Sequence, residues 1–198
     1  MTEALIVIDV QNDFCPNGAL AVAGGDEIIH GINALMAQFD TVVATQDWHP
    51  ANHLSFVENH ADSAAFSVVK MPYGEQVLWP RHCVQGSKGA AFHDDLGLER
   101  AHLILRKGFR AEIDSYSAFF ENDRTTPTGL HGYLQNRGVT DLVFVGLATD
   151  YCVAYSALDA AGLGYRAKLR MDLCRAIDLN GSLANMCAKM RAAGVGLA

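Results

Sequence analysis

Two short runs, Ala4 to Val10 (ALIVIDV) and Leu142 to Val145 (LVFV), constrain the fold more than anything else in this chain. Apart from Asp9 they are apolar at every position, with no alternation of polar and apolar residues. A strand with one wet face alternates, whereas a strand covered on both faces does not. Both runs therefore read as central strands of a parallel sheet. Asp26 to Phe39 carries Ile28, Ile29, Ile32, Leu35, Met36 and Phe39 at helical spacing, with Gly24-Gly25-Asp26 as a start signal. Thr41 to Thr45 and Leu103 to Leu105 read as further strands. Thr128 to Arg137 reads as a short helix stopped by Gly138. After Leu142–Val145 the spacing turns helical from about Asp150, with Val153, Ala157 and Leu158 on one face, and Gly162 stops it. Tyr165 to Met171 alternates (RAKLRM), as for a strand near an edge. Leu179 to Ala193 reads as a helix and Gly194 to Ala198 as a final short strand. Gly146 and Gly162 are expected to serve turns. Strands alternating with helices imply right-handed crossovers and a three-layer α/β/α fold around a mostly parallel sheet.

At 198 residues and 50% hydrophobic content, the chain reads as one domain over 1–198 with one sizeable core. A net charge of −7 without a basic block argues against nucleic acid or an anionic membrane surface as partner. Met1 to Val10 has no basic n-region and is too short for a signal peptide or membrane span. Five scattered cysteines with no C-x-x-C pair fit reduced thiols in a cytoplasm. Of these, Cys15, Cys174 and Cys187 read as structural.

Ligands in open parallel sheets bind outside the carboxyl ends of strands. Asp9, Asp47, Lys107 and Cys152 all fall there. Cys152 lies where a buried strand hands over to a helix. Unpaired N–H groups and the helix dipole there favour a thiolate and offer donors to an oxyanion. A lone cysteine at a strand end is otherwise a small core residue. Asp9 inside an apolar run must be paired or carry a proton; capping a turn is its plain alternative. Lys107, next to a glycine, either reaches solvent or sits beside the thiol. Together the three supply proton carrier, cation and nucleophile, the needs of covalent acyl transfer from an amide.

Two irregular stretches, 51–93 and 109–127, are longer than a compact domain usually tolerates without a function. Asp47-x-His49 and His53 place three potential ligands within seven residues, and His82 is a fourth candidate. Two imidazoles and a carboxylate suit Zn²⁺, with Fe²⁺ or Mn²⁺ as alternatives. Exposed loop histidines are the bland reading, and Cys83 a lesser ligand candidate. His30, His60, His93, His102 and His131 have no clustered partners. Phe14, Trp79 and Tyr116 could line a flat aromatic pocket or belong to the core.

The segments IVIDVQNDFCPNGALAV (6–22), TQDWHPANHLSF (45–56), WPRHCVQGSKGAAFH (79–93), KG with DSYSAFF (107–120) and GLATDYCV (146–153) together resemble the nicotinamidases (pyrazinamidases) of the isochorismatase-like hydrolase superfamily. They span nearly the whole chain in register. The resemblance implies a triad of Asp9, Lys107 and Cys152 and one divalent metal, zinc first, on Asp47, His49, His53 and His82. It implies an oxyanion hole from the N–H groups of Ala148 and Cys152, with a cis Leu147–Ala148 peptide. Phe14, Trp79 and Tyr116 match positions around the aromatic substrate. The implied reaction is hydrolysis of nicotinamide to nicotinate and ammonia through a thioester, in cytoplasmic NAD salvage. Pyrazinamide is a candidate second substrate, and a homo-oligomer is compatible with the chain. The rivals are another hydrolase of the superfamily and a non-catalytic metal-binding module. The match weakens after Asp172, which leaves the last strand in doubt.

Overall fold

The computed structural model describes residues 2–198; Met1, where the leader reading begins, lies outside them. In chain order the elements are β1 (Thr2–Ile8), α1 (Ile29–Met36), β2 (Val42–Asp47), β3 (Val68–Met71), β4 (Gly74–Val77) and β5 (Leu103–Lys107). There follow α2 (Leu130–Asn136), β6 (Val139–Leu147), α3 (Ala154–Gly162), β7 (Arg166–Arg175), α4 (Ser182–Ala192) and β8 (Gly196–Leu197). Six strands form one sheet in the order β5-β2-β1-β6-β7-β8, and every pairing is parallel.

The burial of β1 explains the apolar run. Ala4, Leu5, Ile6, Val7 and Ile8 are all at most 1% exposed, so both faces of the strand are covered. Each of the four larger side chains, Leu5, Ile6, Val7 and Ile8, contributes roughly 1.5–3 kcal/mol of transfer free energy. α1 packs on β7 at Gly31, which faces the Leu173 side chain, and α2 packs on β6. The architecture is the three-layer α/β/α arrangement read from the sequence.

Several boundaries differ from that reading. α1 starts at Ile29, because turns with Gly24 at φ +66° occupy the preceding residues. β6 is nine residues long because it pairs with β1 from Thr2↔Val139 to Ile8↔Gly146. Gly146 is therefore inside a strand, not in a turn. Its φ is +114°, and a Cβ there would lie 2.1 Å from the Ile8 carbonyl oxygen. Only glycine permits that approach. β7 continues past Met171 to Arg175, re-pairing as Gly146↔Cys174 and Leu147↔Arg175 after an irregularity in the register. β8 covers only Lys168 and Leu169 of β7, which explains the wet alternation of that strand. The antiparallel β3–β4 hairpin lies within a stretch read as irregular. Its strands are four residues long, Val68 is 56% exposed and the one buried side chain, Gln76, is polar, so no apolar face imprints a pattern on them.

The chain runs outward from β1 through β2 to β5, then returns to the other side of β1 as β6. The order thus reverses between β1 and β6, where parallel sheets open a crevice at their carboxyl ends.

Candidate active site

That crevice is where four sequence-selected side chains converge. Asp9 follows β1 with φ +47°, Asp47 ends β2, Lys107 ends β5 and Cys152 lies just beyond β6. The backbone after β6 makes one π-turn, Thr149–Val153, before α3 begins. Such turns recur at functional sites. The Leu147–Ala148 peptide is cis.

Lys107 is 1% exposed, and its Nζ is the hub of the cluster. It lies 2.8 Å from Asp9 Oδ2, 2.5 Å from Asp47 Oδ1, 3.0 Å from the Ser115 carbonyl and 3.4 Å from Cys152 Sγ. Burial alone would strip its proton, but the Asp47 and Asp9 carboxylates outweigh that and hold its pKa well above the ordinary value. Burial likewise opposes the ionised form of Asp47, yet Lys107 and His49 keep it well below the usual carboxylate range. Asp9 goes the other way: burial raises it, and Lys107 only partly offsets this. Thr45 Oγ1 donates to Asp9 Oδ1 at 2.6 Å and accepts from the Asp9 N–H at 3.1 Å, aiming the carboxyl group.

Cys152 does not rest as the thiolate that its place before a helix suggests. Burial pushes its thiol well above the ordinary value; Lys107 opposes this, but Asp9 and Asp47 reinforce it. Two carboxylates already share one ammonium, and a third anion in a dry pocket is disfavoured. The thiol thus keeps its proton at rest, with Asp9 beside it.

Asp47, His49 and His82 bring one donor atom each within 4.8 Å of one another, all buried. His82 Nδ1 lies 2.8 Å from the Pro80 carbonyl, which accepts its proton and leaves Nε2 bare, 3.7 Å from Asp47 Oδ2. His49 Nδ1 is buried with no hydrogen-bond partner among the described residues. A bare imidazole nitrogen, a second one nearby and an ionised carboxylate form a donor set that fits a divalent cation. His53 is not in that group of three; it packs on His49, with 4.4 Å between ring centroids, and groups with His49 and Asp114. Its Nδ1 is engaged by Ser55 and its Nε2 lies 3.3 Å from the Ile113 carbonyl. Burial pushes its pKa down to about 4, so the ring is neutral. Gly108, at φ +66°, leaves room for the His49 ring, which a Cβ would meet at 2.8 Å.

Phe14, Trp79 and Tyr116 line one cavity with Tyr151, Ala148 and Cys152. Trp79 Nε1 donates to the Tyr116 hydroxyl at 3.0 Å, and the Tyr151 ring packs edge-on to Trp79 at 4.8 Å between centroids. The structure therefore brings the aromatic trio to the thiol. Sequence reasoning missed Tyr151, Asp114, Gln76 and Asp150. Asp150 accepts from the N–H groups of Ile177 (3.0 Å) and Asp178 (2.8 Å), tying the loop after β7 to the Cys152 turn. Its adjacency to Cys152 is the only sequence signal it offers.

A buried thiol, a proton acceptor and a permanent cation beside a flat apolar cavity are the equipment of a covalent hydrolase. Residues 3–197 match the isochorismatase domain model. A nicotinamidase of Acinetobacter baylyi is 56% identical over 192 residues, covering 97% of this chain and 90% of that protein. The solved nicotinamidase/pyrazinamidase of Acinetobacter baumanii superposes with a TM-score of 0.98 at 53% identity, covering 99% of this chain and 95% of that one. An L. infantum protein solved in complex with nicotinate gives a TM-score of 0.87 at 40% identity, over 100% and 92% of the two chains. The pyrazinamidase of Pyrococcus horikoshii, solved in complex with zinc, gives 0.80 at 35% identity, over 100% and 99%. The chain belongs to the isochorismatase family. Among the described residues no helix is long and apolar enough to cross a membrane.

Proposed function

We propose that this chain is a nicotinamidase, hydrolysing nicotinamide to nicotinate and ammonia through a thioester on Cys152, with residues 1–198 acting as one domain. The observation that carries this reading is the Lys107 ammonium, in contact with Asp9, Asp47 and Cys152 Sγ in one buried pocket. The aromatic cavity opens on that sulfur.

Asp9 takes the Cys152 proton as the sulfur attacks the carboxamide carbon, so the thiolate forms only when a substrate is in place. Lys107 stays protonated throughout and offsets the charge developing on sulfur. The N–H groups of Ala148 and Cys152 donate to the tetrahedral oxyanion. Asp9 returns the proton to the departing nitrogen, ammonia leaves, and the nicotinoyl group remains on Cys152. Asp9 then deprotonates a water that attacks the thioester carbon; the C–S bond breaks, nicotinate leaves, and Asp9 returns the proton to the Cys152 sulfur. Phe14, Trp79 and Tyr116 flank the pyridine ring. The donors Asp47, His49 and His82, with His53 beside them, would hold zinc, whose Lewis acidity suits a pyridine nitrogen; iron or manganese are the alternatives. We place this reaction in cytoplasmic NAD salvage, with pyrazinamide as a further substrate.

The test is ammonia release from nicotinamide by purified protein with its metal quantified. Release that is lost on chelation and restored by zinc is the expected result. No release from folded, metal-loaded protein would overturn the substrate while leaving the family intact.

A further inference from the structure

Asp114 is 2% exposed and lies in the second irregular stretch, where no spacing connects it to the histidines. Its Oδ1 is 3.2 Å from His49 Nε2 and accepts the Ser115 N–H at 2.8 Å. Its Oδ2 accepts from Gln76 Nε2 at 3.0 Å. Gln76 is fully buried, projects from β4, and also reaches the Tyr116 hydroxyl at 2.9 Å. Its Oε1 in turn accepts from Asn122 Nδ2 at 3.1 Å and from the Tyr73 hydroxyl at 3.2 Å. Both oxygens of Asp114 are thus fixed from three directions.

We infer that Asp114 is a positioning residue of the cation site, acting through His49, and that Gln76 couples this carboxylate to the substrate pocket. An ionised carboxylate can only accept, so in the neutral His49 ring, the form that ligates a metal, the proton sits on Nε2 toward Asp114 and Nδ1 presents a bare lone pair. That nitrogen is the buried one with no protein partner. Holding an imidazole through its distal N–H fixes its tautomer and orientation and raises its basicity as a ligand. Gln76 gives one carboxamide to the group that orients His49 and to the hydroxyl that holds Trp79. The β3–β4 hairpin thereby ties metal affinity to the aromatic wall.

The inference rests on the metal reading of Asp47, His49 and His82, and its test separates the two. Zinc alone is the probe, titrated in competition with a chromogenic chelator against the parent, Asp114→Ala, Asp114→Asn and His49→Ala. The apo melting temperature of each is recorded alongside. Asp114→Ala is expected to weaken zinc binding by about 10- to 100-fold. Asp114→Asn is expected to lose less, because an amide oxygen still accepts from His49. His49→Ala should abolish tight binding. If Asp114→Ala fails to fold, the isosteric Asn variant carries the test through a smaller measurable loss. Zinc affinity within twofold of the parent in every folded Asp114 variant would overturn the inference and leave the metal reading standing. A parent that binds no zinc would overturn both.

Discussion

Lys107 Nζ lies 2.5 Å from Asp47 Oδ1, joining the group beside the thiol to the group beside the histidines. The contact makes one electrostatic unit of two sites that the sequence presents separately. Replacing Lys107 by Met leaves Asp9 and Asp47 buried together without their cation. Removing one partner of a buried ion pair typically costs about 3–5 kcal/mol. We expect Lys107→Met to lose ammonia release and to melt well below the parent, both read on one preparation. A variant that kept its melting temperature would show that the two carboxylates are neutralised by other means.

The state of Asp9 sets the acid limb of activity. Burial raises its pKa, and it must be ionised to accept the Cys152 proton, so kcat/KM falls as pH drops through that raised value. The Thr45 hydroxyl bonds the ionised form and lowers the pKa. Thr45→Val removes one hydrogen bond of about 0.5–1.5 kcal/mol, which moves the limb to higher pH by roughly half to one unit. A shift to lower pH, or none, would contradict Asp9 as the base.

Much of this site was legible in the sequence because its anchors are local events. Asp9, Asp47, Lys107 and Cys152 each mark the end of a strand, and strand ends are written in the apolar pattern. The grouping of Asp114 with His49 was not legible: 65 residues separate them, and nothing in the spacing of either segment announces the other. The resting thiol was misread for a related reason. A helix start argues for a thiolate, but burial of the sulfur decides the matter, opposed by Lys107 and reinforced by Asp9 and Asp47. The β3–β4 hairpin was hidden because strands without a buried apolar face carry no hydrophobic periodicity. Gly146 was read as a turn because glycine breaks patterns wherever it falls. Here it marks a close approach of backbones inside the sheet.

Cys174 provides a test of stability that is independent of catalysis. Burial pushes its thiol from 9.0 up to about 12, and it is 5% exposed. Because the folded pKa is raised, this group's contribution is complete below pH 9, where both states hold the proton. Between about pH 9 and 12 the unfolded chain loses the proton first, so stability falls by at most about 1.4 kcal/mol per pH unit from this group. Thermal unfolding followed over that window should show a shallower decline in Cys174→Ala than in the parent. Parallel declines would mean that other groups control the alkaline limb.

The covalent role of Cys152 is the centre of the account, and one comparison tests it most directly. Ammonia release from nicotinamide is measured for the parent and for Cys152→Ala, with bound zinc quantified in both. The account predicts release by the parent alone, with zinc retained in the variant, because it seats the metal on the imidazole-bearing group Asp47, His49 and His82 and not on the group that Cys152 forms with Asp9 and Asp47. Near-parental release by Cys152→Ala would contradict it, since the amide would then be cleaved without the sulfur.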